Sequence, residues 1–256
     1  MNKFYWIALK TIWSKEISRF TRIWIQTLMP PVITMSLYLI IFGSFIGNKI
    51  DNIQGVSYIQ FIVPGIIMMA VISNAYTNVA SSFFSARFQR HIEELLVAPV
   101  PTHIIILGYI GGGVVRGICV GLLVTIVSLF FVQFHVYSWL IILFILLLTV
   151  VMFSLAGLLN ALFAKSFDEI SLIPTFILTP LTYLGGVFYS LNLLPPFWKK
   201  ISVLNPLVYM ISGFRLGFLG ISEISLIWSL FVLISLIVIF YLLVWYLIQR
   251  GYGLKN

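Results

Sequence analysis

Side chains able to do chemistry are few in this sequence, and their spacing excludes most reactions. Only 7 of the 256 residues are Asp or Glu, and none falls in the middle of an apolar run. His91, His103 and His135 are dispersed, with no cysteine or carboxylate set at metal-ligand spacing. Cys119 is the single cysteine and lies in an apolar run, so there is no disulfide framework to read. No glycine is directly followed by lysine, so the GxxxxGK[ST] phosphate loop is missing and ATP cannot be bound by that route. GxSxG and HExxH are missing too. A membrane-embedded enzyme therefore lacks an acid, a base and a nucleophile, and neither metal nor cofactor is expected. Proton- or sodium-driven carriage ordinarily uses an intramembrane carboxylate, which disfavours a secondary carrier. One cation remains inside an apolar run. Arg116 costs at least about 2.5 kcal/mol there, and no acid lies at a comparable depth. It can snorkel, bind helix-end carbonyls, or face a polar cavity that takes substrate or a lipid headgroup.

The densest group of polar side chains is the island FFSARFQRHIEELLVAPVPTHIIILGY, from Phe83 to Tyr109. Phe84, Phe88, Ile92, Leu95 and Leu96 repeat with helical period, while Arg87, Arg90, His91 and Glu94 fall on another side. Pro99 and Pro101 stop this helix, since neither has an N–H and each pushes its predecessor out of the α region. Two readings stay open on these grounds: a surface helix lying on lipid, or a contact surface for a soluble partner.

The elements that hold the island are membrane spans. The chain is 61% hydrophobic and 9% charged, with a mean hydropathy of +1.10, whereas soluble domains are roughly a quarter charged. Six apolar runs reach the ~20 residues that a bilayer core needs: 25–46, 58–80, 104–132, 139–164, 170–189 and 226–248. Backbone pairing within lipid makes them helices, so the fold class is an all-α integral membrane protein of one transmembrane domain. Residues 2–22 form a basic amphipathic helix for the headgroup layer, with Lys10, Lys15, Arg19 and Arg22 set against Trp13 and other aromatics. No cleavable signal peptide is expected, because basic residues recur through that helix. Pro30-Pro31 should kink the first span, and Pro174 and Pro180 should interrupt the fifth. Gly108/Gly112 and Gly113/Gly117/Gly121 are spaced for close helix packing, within the chain or across a dimer seam. Residues 191–215 are broken at Pro195-Pro196 and at Asn205-Pro206 into pieces too short to span, which suits two short outer helices. Phe197, Trp198 and Tyr209 there are either interfacial belt aromatics or stacking platforms for a departing ring.

The formal charge is +8, but the basic residues sit beside apolar spans, which fits membrane orientation rather than nucleic acid. With the N-terminus inside, ten basic residues, including Arg87, Arg90, Lys165, Arg250 and Lys255, fall on the cytosolic side. Four, Lys49, Lys199, Lys200 and Arg215, fall outside. Both termini and the charged island are then cytosolic. A path-forming protein without its own energy source, carrying a cytosolic contact surface, fits a motor supplied by another chain. A secondary carrier or channel without such a partner is the alternative, and a membrane enzyme or scaffold is a third.

FQRHIEELLVAPVP and PTFILTPLTYLGGVFYSLNLLPPFW…LNP…R resemble the ABC-2 family of ATP-binding-cassette transporter permeases, over essentially the whole chain. The resemblance implies two permeases pairing within lipid of the inner membrane, each receiving a separate cytosolic ATPase, with transport in the export direction. It implies a coupling helix around Glu93, Glu94, Leu95 and Leu96 within the set Arg87, Arg90, His91, Ile92 and Pro99. ATPase affinity would rest on Ile92, Leu95 or Leu96, with charges selecting the partner. It further implies a translocation path lined by Asn74, Thr77, Asn78 and Arg116 and, in the fifth span, by Thr179, Thr182 and Tyr183. Phe197, Trp198, Asn205, Pro206, Tyr209 and Arg215 would belong to the outer re-entrant gate.

Overall fold

In the computed structural model of this protein, residues 3–50, 52–133 and 136–253 are described, without the side chains of Ser44, Asn48 and Leu96. His135, Lys255 and the Leu96 side chain, used above, lie outside the described residues. The centre of the molecule is α3 (Tyr58–Phe88), 31 residues and about 46 Å long at 1.5 Å per residue. Its first half is almost wholly apolar and most of its residues are buried, so it is stable only when surrounded. It starts at Ser57, whose N–H donates to Gln60 Oε1 at 3.1 Å. Around it pack α5 (Thr102–Ser128), α6 (Trp139–Phe163) and α10 (Pro206–Leu219). The outer helix α11 (Leu226–Gln249) leans on α6 and α10.

Small residues set how closely these helices approach. A Cβ on Gly157 of α6 would lie 2.3 Å from the Tyr76 carbonyl oxygen of α3. On α5, Gly113, Gly117 and Gly121 face Val79, Ala75 and Val71 of α3, while Gly108, Gly111 and Gly112 face Ile12, Trp13 and Glu16. The two glycine stripes thus seat two different neighbours within one chain, α3 and the N-terminal helix α1 (Lys3–Arg22). Leu9, Ile12, Glu16 and Phe20 form the buried face of α1, and Phe4, Trp6 and Ile7 are exposed.

The prolines lie within continuous helical runs. Helix α2 (Trp24–Tyr38) runs through Pro30 and Pro31 without ending, then widens to a π-helical stretch over Leu39–Ile46. Likewise α7 (Phe167–Ile173), a π-helical stretch (Pro174–Leu178) and α8 (Thr179–Tyr183) form one continuous run. In the second run a π-helical stretch carries the helix past Pro174 and Pro180 despite their missing N–H groups. This run ends six residues before the expected limit, at a turn where Gly186 has φ +76°, a conformation suited to glycine. It spans only about 25 Å. Ser166 starts it, accepting from Glu169 N at 3.2 Å, while Glu169 Oε2 accepts from Lys165 N at 2.7 Å.

Five helical stretches are long and apolar enough to cross a bilayer, beginning at Trp24, Tyr58, Thr102, Trp139 and Leu226. The bent pair α9 (Pro196–Leu204) and α10, at 89°, adds a sixth if read as one span. The chain is an all-α integral membrane protein. Replacing Gly157 by Val should destabilise it by about 1–3 kcal/mol or more through overpacking against the Tyr76 backbone, read as a lowered unfolding midpoint in detergent. An unchanged midpoint would mean that α3 and α6 separate more easily than their spacing indicates.

Candidate coupling surface and buried polar clusters

The charged island is two helices rather than one. After Phe88, Arg90 takes a left-handed conformation (φ +63°), and α4 (His91–Val97) sets off in a new direction. Phe84 and Ile92 therefore do not share one helical face. Ile92 is buried beneath α4 in its own chain, so it anchors α4 to the bundle and is not free for a partner. Leu95 is half-buried, while His91, Glu93, Glu94 and Pro99 are exposed. Val97, missing from the expected set, is 88% exposed. Between α4 and α1 lies a cleft of about 280 Å³, lined by Thr11, Ile12, Lys15, His91, Glu94, Leu95 and Tyr109. The Lys15 ammonium stands 5.8 Å from the Tyr109 ring centroid at its floor. Arg87 is not part of this surface. Its Nη1 donates to the carbonyls of Ala161 (2.7 Å) and Leu162 (2.9 Å), and its Nη2 donates to that of Ala164. The free carbonyls and negative dipole at the end of α6 hold the guanidinium there.

A second group lies where α1, α2, α3 and α5 meet. Arg116 Nη2 donates to Asn74 Oδ1 at 3.0 Å and to the Thr27 carbonyl at 3.2 Å. That carbonyl is available because Pro31, four residues on, has no N–H to offer it. Arg19 Nη2 donates to Asn78 Oδ1 at 2.9 Å and to the Asn78 carbonyl at 3.0 Å. Arg116 Nη1 approaches the same Oδ1 at 3.5 Å. An acid joins the group from the interfacial helix α1. Glu16 is 0% exposed, accepts from Ser82 Oγ at 2.7 Å and pairs with Arg19 at 3.4 Å. Asn74, Asn78 and Arg116 thus come together, whereas Thr77 points outward and bonds the Ser73 carbonyl. On α1, Trp13 Nε1 donates to the Leu107 carbonyl at 2.9 Å, while Lys10 and Arg22 are exposed. The bond to Thr27 also sets Arg116 level with the start of α2.

The residues expected from the fifth span lie apart from that group. Thr179 and Thr182 bond the carbonyls of Pro174 and Leu178. Tyr183 OH meets Tyr38 OH at 2.9 Å, and Phe42 and Phe188 complete an aromatic cluster with them.

At the opposite end of α3, Asn205 caps α10 by accepting from Leu207 N at 3.0 Å, with Pro206 as the first helical residue. Tyr209 OH bonds the Val203 carbonyl, and Phe197 and Trp198 stand exposed, edge to face. Arg215 is not an exposed outer charge. It is 1% exposed, its guanidinium stacked 3.7 Å from the Phe61 ring centroid. It donates to the Phe61 (3.2 Å) and Gly186 (2.8 Å) carbonyls and pairs with Glu223 at 3.7 Å. Glu223 in turn accepts from Ser190 Oγ and from Leu191 N. One ion pair therefore gathers the start of α3, the turn at Gly186 and the connection into α11.

A family model described as ABC-2 type transporter matches residues 7–219. The chain belongs to the ABC-2 type transporter family. The chain is similar to the inner membrane transport permease YadH of Escherichia coli (strain K12), with 68% identity over 256 residues and 100% of both chains covered. The same figures hold for the YadH of Shigella flexneri. Nodulation protein J of Rhizobium meliloti (strain 1021) is 23% identical over 220 residues, 86% of this chain and 83% of that protein. The matched region of this ABC-2 type chain takes in α4, the Asn78 cluster and Arg215, and stops just before Glu223.

Glu16, Ser82, Val97 and Glu223 are the site residues that sequence reasoning did not single out. Glu16 carried a signal, since it shares a helical face with Leu9, Ile12 and Phe20. Neutralising Glu223 with Gln leaves a buried guanidinium unpaired and should cost this ABC-2 type chain about 3–5 kcal/mol. The double variant Arg215→Met/Glu223→Met should lose clearly less. Unfolding midpoints of the purified variants decide it, and equal losses in single and double variants would argue against the pair.

Proposed function

We propose that this chain is the membrane-spanning permease subunit of an inner-membrane ABC exporter, paired with a second copy and driven by a separate ATPase. The observation that carries this reading is α4. It is a short helix held by Ile92 against the bundle, with Glu93, Glu94 and Val97 directed away from it. A motor can act only through an element that both protrudes and is firmly tied, and α4 is tied through Arg90 to α3. With the N-terminus inside, α4 and α1 are cytosolic, and the cleft between them receives the ATPase. ATP is hydrolysed in that partner and not in this chain. Exposed charge pairs contribute only about 0–1 kcal/mol each, so Val97 and Leu95 supply affinity while Glu93 and Glu94 select the partner.

In this reading the path runs along the dimer interface, past the Asn78 cluster and the aromatic group of Tyr38 and Tyr183, towards α9 and α10. A carrier working without an ATPase needs a carboxylate free to load and release its coupling ion. Among the described residues, the two carboxylates with buried side chains, Glu16 and Glu223, are instead held by arginines.

Leu95→Asp and Val97→Asp should each abolish co-purification of the ATPase encoded beside this chain while leaving membrane insertion intact. Val97 is the cleaner test, because its exposure removes any effect on the chain's own packing. Retention of the ATPase by both variants would sink the coupling role of α4.

A further inference from the structure

The cluster around Asn78 holds two guanidinium groups against one carboxylate, and we propose that it binds the phosphate of an anionic lipid headgroup. Arg19 and Arg116 both aim at Asn78 Oδ1, and among the described residues Glu16 is the one acid paired with either of them. The group as a whole therefore carries one uncompensated positive charge. It also has donors to spare. Arg19 Nε, Arg116 Nε and Asn78 Nδ2 are buried without a hydrogen-bond partner among the described residues. Such a cation is strongly unfavourable unless an anion answers it, and a guanidinium fork suits phosphate oxygens in both charge and geometry. A phosphodiester carries one negative charge and brings the site to neutrality.

Three observations point to a headgroup rather than a dissolved ion. Arg116 is level with Thr27, three residues from Trp24 at the start of α2, so the cluster lies near one boundary of the bilayer. The α1 helix beside it exposes Phe4, Trp6, Lys10 and Arg22, the composition of an element in the headgroup layer. A hollow of about 210 Å³ lined by Arg22, Ile23, Trp24, Ile25 and Gln26 opens at the α1–α2 junction, directly before Thr27. Its apolar side chains suit the glycerol and upper acyl carbons of a lipid, and the Arg19 side chain, 31% exposed, is reachable from outside. The proposal concerns this chain alone and does not depend on its ATPase.

The test uses the purified full chain in neutral detergent, titrated with dioctanoyl phosphatidylglycerol or phosphatidylcholine and followed by native mass spectrometry and ligand-induced thermal shift. Phosphatidylglycerol should bind about tenfold more tightly than phosphatidylcholine, whose choline the two arginines repel. Arg116→Gln should weaken phosphatidylglycerol binding about tenfold through loss of a charge-assisted contact, whereas Lys200→Gln, at an exposed position on α9 away from the cluster, should change it little. Glu16→Gln raises the charge of the site and should tighten binding, a direction that a merely structural role for Glu16 would not give. Should Arg116→Gln fail to fold, Arg116→Lys keeps the charge and should retain the preference for phosphatidylglycerol. Equal binding of the two lipids to the wild type, or undiminished phosphatidylglycerol binding by Arg116→Gln, would overturn the proposal. So would full displacement of phosphatidylglycerol by inorganic phosphate at its own affinity, which would make the site one for a free anion.

Discussion

A helix buried on every side can be held only by neighbours that come very close, and α3 imposes that condition on the whole molecule. Gly157 brings α6 against its backbone, and Gly113, Gly117 and Gly121 bring α5 against its small side chains. Without a hydrophobic driving force between helices in lipid, such contact is the main source of association. It also decides which polar groups meet. Once α5 is seated on α3 by one glycine stripe and on α1 by the other, Glu16, Asn78 and Arg116 are brought to one place.

The two charged groups lie at opposite ends of α3, and their chemistry differs. The Arg215–Glu223 pair is balanced, wrapped in backbone carbonyls and a phenyl ring, and draws separate chain segments together. Its job is closure. The Asn78 group has an excess of donors and of positive charge, and one of its arginines reaches the outside of the bundle. A binding role follows naturally from the second arrangement and not from the first.

Much of this was legible in the residues. Length and apolarity of the runs announced the membrane helices, and FQRHIEELLVAPVP marked the family and α4. Three things were hidden for physical reasons. Glu223 did not stand out, because its burial depends on which segments pack over it, and Glu16 showed only in its apolar neighbours on α1. Periodicity carried Phe84 and Ile92 onto one face, since nothing in the residue types of Gln89-Arg90 announces a left-handed turn. Pro31 looked like a kink. In the folded chain its effect is local and chemical, leaving the Thr27 carbonyl for Arg116 to use.

The continuity of α3 gives the molecule a mechanical character. One end of this helix is joined to α4 through two residues, Gln89 and Arg90, and the other end supplies the Phe61 carbonyl and ring that hold Arg215. Between them runs about 40 Å of continuous helix, with no loop in which a displacement could be absorbed. Contact surface and closure therefore sit at the two ends of one connecting rod. A displacement of α4 would reach the far side as strain on a single buried ion pair.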